Sequence, residues 1–215
     1  MIGFKKTERK RKRNRHARER SLMLAATKLF ATRGFDATTT REIAAAAGCA
    51  EGLIHRYFGG KSGLLAGLVR DRLARDVADL AGKLPPAHRF EEEVLQLVRW
   101  EVERVWGDRD FLRVIIPRML TDTDLARVLG RLTPQTLHAK AILERLQRHP
   151  ECRAIPAGEL EALAQLIGAV GFVFGFMRPV VMRHNRVHSR ETASTIARIL
   201  APGFVSGSYQ ALAAI

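Results

Sequence analysis

Apolar residues along this chain recur at steps of three and four, with no convincing alternation at steps of two and no repeat at a fixed period. Leu22, Ala25, Ala26, Leu29 and Phe30 fall on one face of a helix that Arg33-Gly34 stops. Gly34 suits the left-handed backbone of a helix C-cap, which residues bearing a Cβ avoid. Thr38, Thr39 and Thr40 then offer hydroxyls to the free N–H groups of a new helix, with Glu42 in its first turn. This short helix, residues 41–47, presents Ile43 and Ala44 as its apolar contacts, and Gly48 ends it. A third helix runs from about Ala50 to Phe58, with Leu53 or Ile54 and Tyr57 or Phe58 at the spacing of a packed face, until Gly59-Gly60 breaks it. Two short helices joined by a tight glycine turn form the helix-turn-helix signature.

From Lys61 a longer helix carries Leu64, Leu65, Leu68, Val69, Leu73, Val77 and Leu80 until Leu84-Pro85-Pro86. Phe90, Val94, Leu97, Val98, Val102 and Val105 define the next, ending near Gly107. Phe111 to Leu120 follows, with Pro117 as a kink or end, and then one long periodic stretch from Leu125 to Leu146, closed by His149-Pro150. Glu159 to His184 differs, because its 166–177 core is apolar on every side, as expected of a helix buried between neighbours. Ser189 to Leu200, continuing past Pro202-Gly203 to Ile215, is again helical. The predicted fold is all-α: a three-helix helix-turn-helix domain at 18–78, with its motif at about 41–60, and a helical domain at 79–215.

Composition allows a real core, since 47% of the 215 residues are hydrophobic. The net charge of +14 is unevenly placed: residues 1–20 hold ten Lys or Arg against Glu8 and Glu19, a net of +8. Such an arm seeks polyanions. With almost no apolar surface after Phe4, residues 1–17 are expected to be disordered when free. No apolar stretch of signal-peptide length follows the positive run, so the expected location is the cytoplasm. The 166–177 run is shorter than the roughly 20 residues of a membrane span. Cys49 and Cys152 have no CxxC partner and are expected to be reduced thiols.

Several spacings hold at once: Ala25-Ala26-x-x-Leu29-Phe30, Gly34-Phe35-x-x-Thr38-Thr39, Ile43-Ala44-x-x-Ala47-Gly48, Gly52, and Tyr57-Phe58-x-x-Lys61-x-x-Leu64. In these residues the chain resembles the TetR family of transcriptional regulators. The resemblance implies that residues 41–47 pack on the DNA backbone side and that residues 50–58 are the recognition helix in the major groove. The expected DNA-binding residues are Thr39, Thr40, Ala50, Glu51, Gly52, Leu53, His55, Arg56, Tyr57 and Lys61. Arg56 has the bidentate fork for guanine and Leu53 an apolar contact for a thymine methyl, while Thr39, Thr40, His55, Tyr57 and Lys61 suit phosphates. The chain departs from the family pattern at three positions. Ala50 stands where serine is usual, removing a hydroxyl cap. His55 replaces a frequent tyrosine, and Glu51 puts a carboxylate where a neutral or basic residue is common. The basic arm is expected to add salt-dependent, sequence-independent affinity.

The resemblance further implies homodimerisation through Glu159 to His184 and Ser189 to Ile215, and a small-molecule effector bound in the helical body. Candidates to line its cavity are Trp100, Trp106, Phe111, Met119, Phe172, Phe176 and Met177, with Arg99 and Glu101 as a polar handle or a solvated ion pair. His184 and His188 have the spacing of a metal pair on a helix but fall at an interhelical turn, so no metal and no cofactor are expected. No GxSxG, HExxH or P-loop pattern supports catalysis. The expectation is a repressor that binds a palindromic operator as a homodimer and leaves it when the ligand binds. The alternative is an architectural or nonspecific DNA-binding protein driven by the arm.

Overall fold

The computed structural model describes residues 2–130 and 134–206 of the chain, and its side chains over 13–123, 125–127 and 138–204. All the regular elements among the described residues are helical. They are α1 (Ile2–Arg33), α2 (Thr40–Ala46), α3 (Gly52–Phe58), α4 (Lys61–Lys83), α5 (Phe90–Gly107), α6 (Arg109–Thr121), α7 (Thr123–Gly130), α8 (Pro134–Leu146), α9 (Ala157–Phe172) and α10 (Arg186–Ser206). A 3-10 turn, Pro150–Ala154, precedes α9, and a π-type stretch, Val173–Val181, continues it.

Two compact units emerge: Met1–Arg72 with Asp110–Gly130, and Leu73–Arg109 with Arg131–Ile215. Helices α6 and α7 therefore group with the N-terminal helices, although their sequence lies beyond residue 78. The first unit is built around Leu22, Ala26, Phe30, Phe35, Ile43, Ile54, Leu64 and Leu65, all buried. Gly34, Gly48, Gly59 and Gly60 all have positive φ, so each helix of the motif ends where its sequence provides a glycine.

The basic segment departs from expectation. Residues 2–20 continue into α1 as one helix rather than a disordered arm. Lys, Arg and Glu are good helix formers, no proline interrupts the segment, and an already folded helix at 22–33 supplies the nucleus that a short isolated helix lacks. Arg15 Nε meets Glu19 Oε1 at 2.7 Å, an i,i+4 pair that supports the same turn.

The second unit packs α5 against α9 and α10, with α8 on α9. Its core includes Phe90, Val94, Leu97, Ile142, Leu146, Leu163 and Ile167. Glycine sets the closest approach: a Cβ at Gly175 would lie 2.6 Å from the Val102 carbonyl oxygen and 2.9 Å from Val105. The predicted 125–146 helix is instead two helices, α7 and α8. Gly130 is a poor interior residue, and Pro134 opens α8, where a missing N–H costs nothing. The helix over 159–184 also differs, because it is not buried all round. Leu163, Ala164, Ile167 and Val170 face the core, whereas Leu166, Phe172 and Val173 stay 37–38% exposed.

A buried ion pair joins three elements of this unit. Arg145 Nε lies 2.6 Å from Glu93 Oε1, and Arg145 Nη1 donates to the Leu84 carbonyl at 2.6 Å, past the end of α4. The other carboxylate oxygen of Glu93 accepts from the Ala87 N–H at 2.7 Å and from Gln96 at 2.9 Å.

Candidate nucleic-acid interface

Helix α2 begins with a complete capping box. The Glu42 N–H donates to Thr39 Oγ1 at 3.2 Å, and the Thr39 N–H donates to Glu42 Oε2 at 2.8 Å. The Thr39 N–H foremost, then the Thr39 hydroxyl that donates to Glu42 Oε2 at 2.9 Å, hold the Glu42 carboxyl below its ordinary pKa. Arg33 closes the box from α1 at 2.9 Å.

Helix α3 is seven residues long and starts at Gly52, two residues later than expected, leaving Ala50 and Glu51 in the turn. No side chain caps it. Glu51 instead accepts from the Thr40 hydroxyl at 2.5 Å, so its carboxylate and that hydroxyl are turned toward each other. Ile54 is wholly buried and fixes the rotation of the helix. That rotation leaves Glu51, Gly52, His55 and Arg56 exposed, with Leu53 and Tyr57 half-buried beside them. A rigid short helix with one anchoring face and a polar outer face has the dimensions of a major-groove reader.

Behind α3, the start of α4 is drawn in close. A Cβ at Gly63 would meet the Phe58 carbonyl oxygen at 1.6 Å, so only glycine lets the two backbones pass. Lys61, expected at a phosphate, is engaged inward: its ammonium donates to the carbonyls of Phe35 at 2.9 Å and Thr38 at 2.8 Å and sits 4.4 Å over the Phe35 ring. Arg118 of α6 lies 4.7 Å from the same ring and pairs with Asp36 at 3.0 Å.

Sequence reasoning did not foresee that the basic helix reaches α3. The Arg15 guanidinium lies 5.2 Å from the centre of the Tyr57 ring, so α1 runs beside the candidate recognition helix. Arg13, Arg18 and Arg20 are exposed on it. Cys49 is half-buried, its thiol 3.5 Å from the Ala47 carbonyl. Burial and nearby Glu151 push the Cys152 thiol up to about 11, keeping it protonated.

The seven residues expected around an effector fall in both units. Phe111 and Met119 belong to the first, where Arg72 covers the Phe111 ring at 5.0 Å. In the second, Phe172 and Phe176 stack at 5.7 Å, Met177 is half-buried, and Trp106 has the guanidinium groups of Arg109 and Arg186 at 4.7 and 4.6 Å. Trp100 meets His138 edge-on at 6.2 Å. Glu101 is not a solvated partner of Arg99: it is fully buried and bound to Arg104, because it lies on the apolar stripe that carries Leu97. Arg99 reaches Ser194 at 3.3 Å. His184 accepts from Arg178 Nε at 3.2 Å. Among the described residues no group of three metal-ligating side chains is found.

These features define a helix-turn-helix protein of the DNA-binding class. More particularly, residues 22–68 match the family of bacterial regulatory proteins, tetR family, so the N-terminal module is that of a TetR-family transcriptional regulator. No curated protein matches the sequence. Among solved structures, the fold is similar to one described as a TetR-family transcriptional regulator from Mesorhizobium loti, at TM-score 0.68 and 19% identity over 86% of this chain and 95% of that one. It is also similar to one so described from Syntrophomonas wolfei, at TM-score 0.69 and 15% identity over 86% and 95%. A third is the transcriptional regulator FadR from Bacillus subtilis in complex with stearoyl-CoA, at TM-score 0.65 and 15% identity over 85% and 97%.

Proposed function

We propose that this protein is a cytoplasmic repressor that binds a palindromic operator as a homodimer and is released by a small apolar or amphipathic ligand. The observation that carries the reading is α3, locked to the core by Ile54 while Arg56 and His55 face outward, within a module matched to the tetR family. Arg56 reads guanine and Leu53 a thymine methyl. Thr39, Thr40, His55 and Tyr57 meet phosphates, while Ala50, Glu51 and Gly52 bring the backbone close to the groove. Lys61 acts by holding the turn before α2.

The exposed apolar side chains Leu166, Phe172 and Val173 on α9 and its continuation, with Val187 and Ile199 on α10, favour pairing of these elements with a second copy. The helix Ala157–Val181 is by length and composition able to cross a membrane, with a mean hydropathy of 1.8 over its most apolar 18 residues. Half of that window is buried among its own neighbours, which favours a core helix completed by a partner. The similar FadR, in complex with stearoyl-CoA, supports an effector with a long apolar part.

The exposed arginines of α1 favour a second reading, nonspecific DNA binding driven by the basic helix. Selection of bound sequences from random DNA, followed by footprinting, separates the two. A repressor yields a palindrome preferred over scrambled DNA by ~10³ or more at physiological salt; no enrichment supports the nonspecific binder and overturns the first reading.

A further inference from the structure

Helices α5 and α10 pack together, and between them the second unit opens a cavity of about 490 Å³, lined by Arg99, Glu103, Arg190, Glu191, Ser194 and Arg198. On α10, Arg190, Ser194 and Arg198 stand at i, i+4 and i+8 and so share one face, which Arg99 of α5 meets. Ser194 lies between its two neighbours and is only 6% exposed, whereas the three arginines are exposed. Its hydroxyl accepts from Arg99 Nε at 3.3 Å, and among the described residues it gives its own hydrogen to no acceptor.

The three guanidinium groups are short of carboxylates. Among the described residues Arg99 and Arg198 bond only hydroxyls, the first that of Ser194 and the second, through Nη2, Thr195 Oγ1 at 2.9 Å. Arg190 Nη1 is 3.6 Å from Glu103 Oε1, beyond a hydrogen bond. Glu103 is itself held by Arg186 Nη2, 2.6 Å from its other oxygen. Glu191 pairs with no described cation. With Glu103 offset by Arg186, the three arginines exceed the one remaining carboxylate by two charges, and most of their N–H donors have no protein acceptor.

A cleft walled by one sign of charge concentrates ions of the other. A phosphate monoester carries up to two negative charges and three acceptor oxygens, enough for each guanidinium to take one. A carboxylate brings one charge and two oxygens, and an apolar molecule would leave the arginines unanswered. The volume falls within the roughly 300–1,000 Å³ of small-molecule sites, so room remains for a body beside the phosphate. Glu191 is an acceptor for hydroxyls on that body.

We propose that this groove binds a small organic phosphate with a hydroxylated body, its phosphate held by Arg99, Arg190 and Arg198 beside the Ser194 hydroxyl and its body facing Glu191. The lining is charged, so this is a different site from one that takes an apolar effector, and it does not depend on the repressor reading. Full-length protein is titrated by calorimetry with glucose 6-phosphate, with glucose and with inorganic phosphate. Glucose 6-phosphate is expected to saturate one site per chain. Glucose, without the charge, should show no binding, and inorganic phosphate should bind more weakly because it has no body to reach Glu191. Arg99→Gln combined with Arg198→Gln is expected to weaken glucose 6-phosphate about tenfold or more, the size of one hydrogen bond to a charged group. Glutamine in place of Arg13, Arg18 and Arg20 on α1 should leave its affinity unchanged.

Binding that survives the double change overturns the proposal. So do equal binding of glucose or of inorganic phosphate, a loss on changing the α1 arginines instead, or no binding of any probe. Both replaced arginines of the groove are exposed, and the unfolding transition checks that the variant keeps its fold; Arg198→Gln alone serves if the pair does not. DNA capture by the same variants is scored separately. A loss there with glucose 6-phosphate unaffected would make the groove a DNA contact and remove the ligand.

Discussion

Lys61 and Phe35 are joined twice: the ammonium donates to the Phe35 carbonyl at 2.9 Å and lies 4.4 Å over the Phe35 ring. With its bond to Thr38, this one side chain ties the start of α4 to the turn that precedes α2. Lys61→Met is expected to take one donor from each of the two carbonyls, that of Phe35 keeping the Thr38 N–H at 3.3 Å, and to lower the unfolding free energy by about 1–3 kcal/mol. The salt dependence of DNA binding by the folded variant should stay the same. A phosphate contact would instead reduce the slope of log K against log salt by about 1, and that result would return Lys61 to the DNA face.

Arg56 and the arginines of α1 are expected to fail in opposite ways. Arg56→Ala should cost about 1–3 kcal/mol on the selected operator and little on scrambled DNA, because a base contact carries the preference. Replacing Arg13, Arg18 and Arg20 by glutamine should weaken both DNAs alike and flatten the salt slope. Competition binding at two salt concentrations reads both effects. Retention of sequence preference after Arg56→Ala would remove this residue from the recognition face.

The N-terminal half was legible in the sequence because its signals are local. Gly34, Gly48 and Gly59 stand at helix ends, Thr39 among the three offered hydroxyls caps α2 with Glu42 in its first turn, and Ile43 and Ile54 are buried. The helical state of residues 2–20 is not legible from composition, which leaves out the folded helix at 22–33 that they extend. Apolar periodicity runs through the α7–α8 break, which Gly130 and Pro134 mark. The burial of Glu93 and Glu101 had a readable signal too: with Leu97 they form an i, i+4, i+8 row on the core face of α5. What periodicity withholds is the partner across the fold, here Arg145 for Glu93 and His138 for Glu101.

The Glu93–Arg145 pair gives a stability test. Removing one partner strands the other in the core, so Arg145→Met is expected to cost about 3–5 kcal/mol. The combined change of Glu93→Leu with Arg145→Met should cost less than the sum of the two single changes, since neither charge is then left alone. Denaturant unfolding of the four proteins checks this; additive losses would mean that the two side chains do not act as a pair.

His138 makes stability depend on pH with a definite sign. Burial first, then the Arg104 charge, lowers its pKa from 6.5 to about 3, and a weaker backbone interaction at Leu73 acts the other way. Between about 3 and 6.5 the unfolded chain therefore takes up a proton that the folded chain refuses. The stabilising effect of the neutral ring is complete above pH 6.5 and is lost as pH falls toward 3, with a limiting slope of about 1.4 kcal/mol per pH unit. Glu101 works against this loss, because burial raises its pKa and acid then favours its folded form. The two contributions separate on replacing the imidazole: His138→Gln should show a smaller fall in unfolding free energy between pH 6.5 and 4.5 than the unaltered protein. Identical falls in the two proteins would show that His138 does not titrate on unfolding.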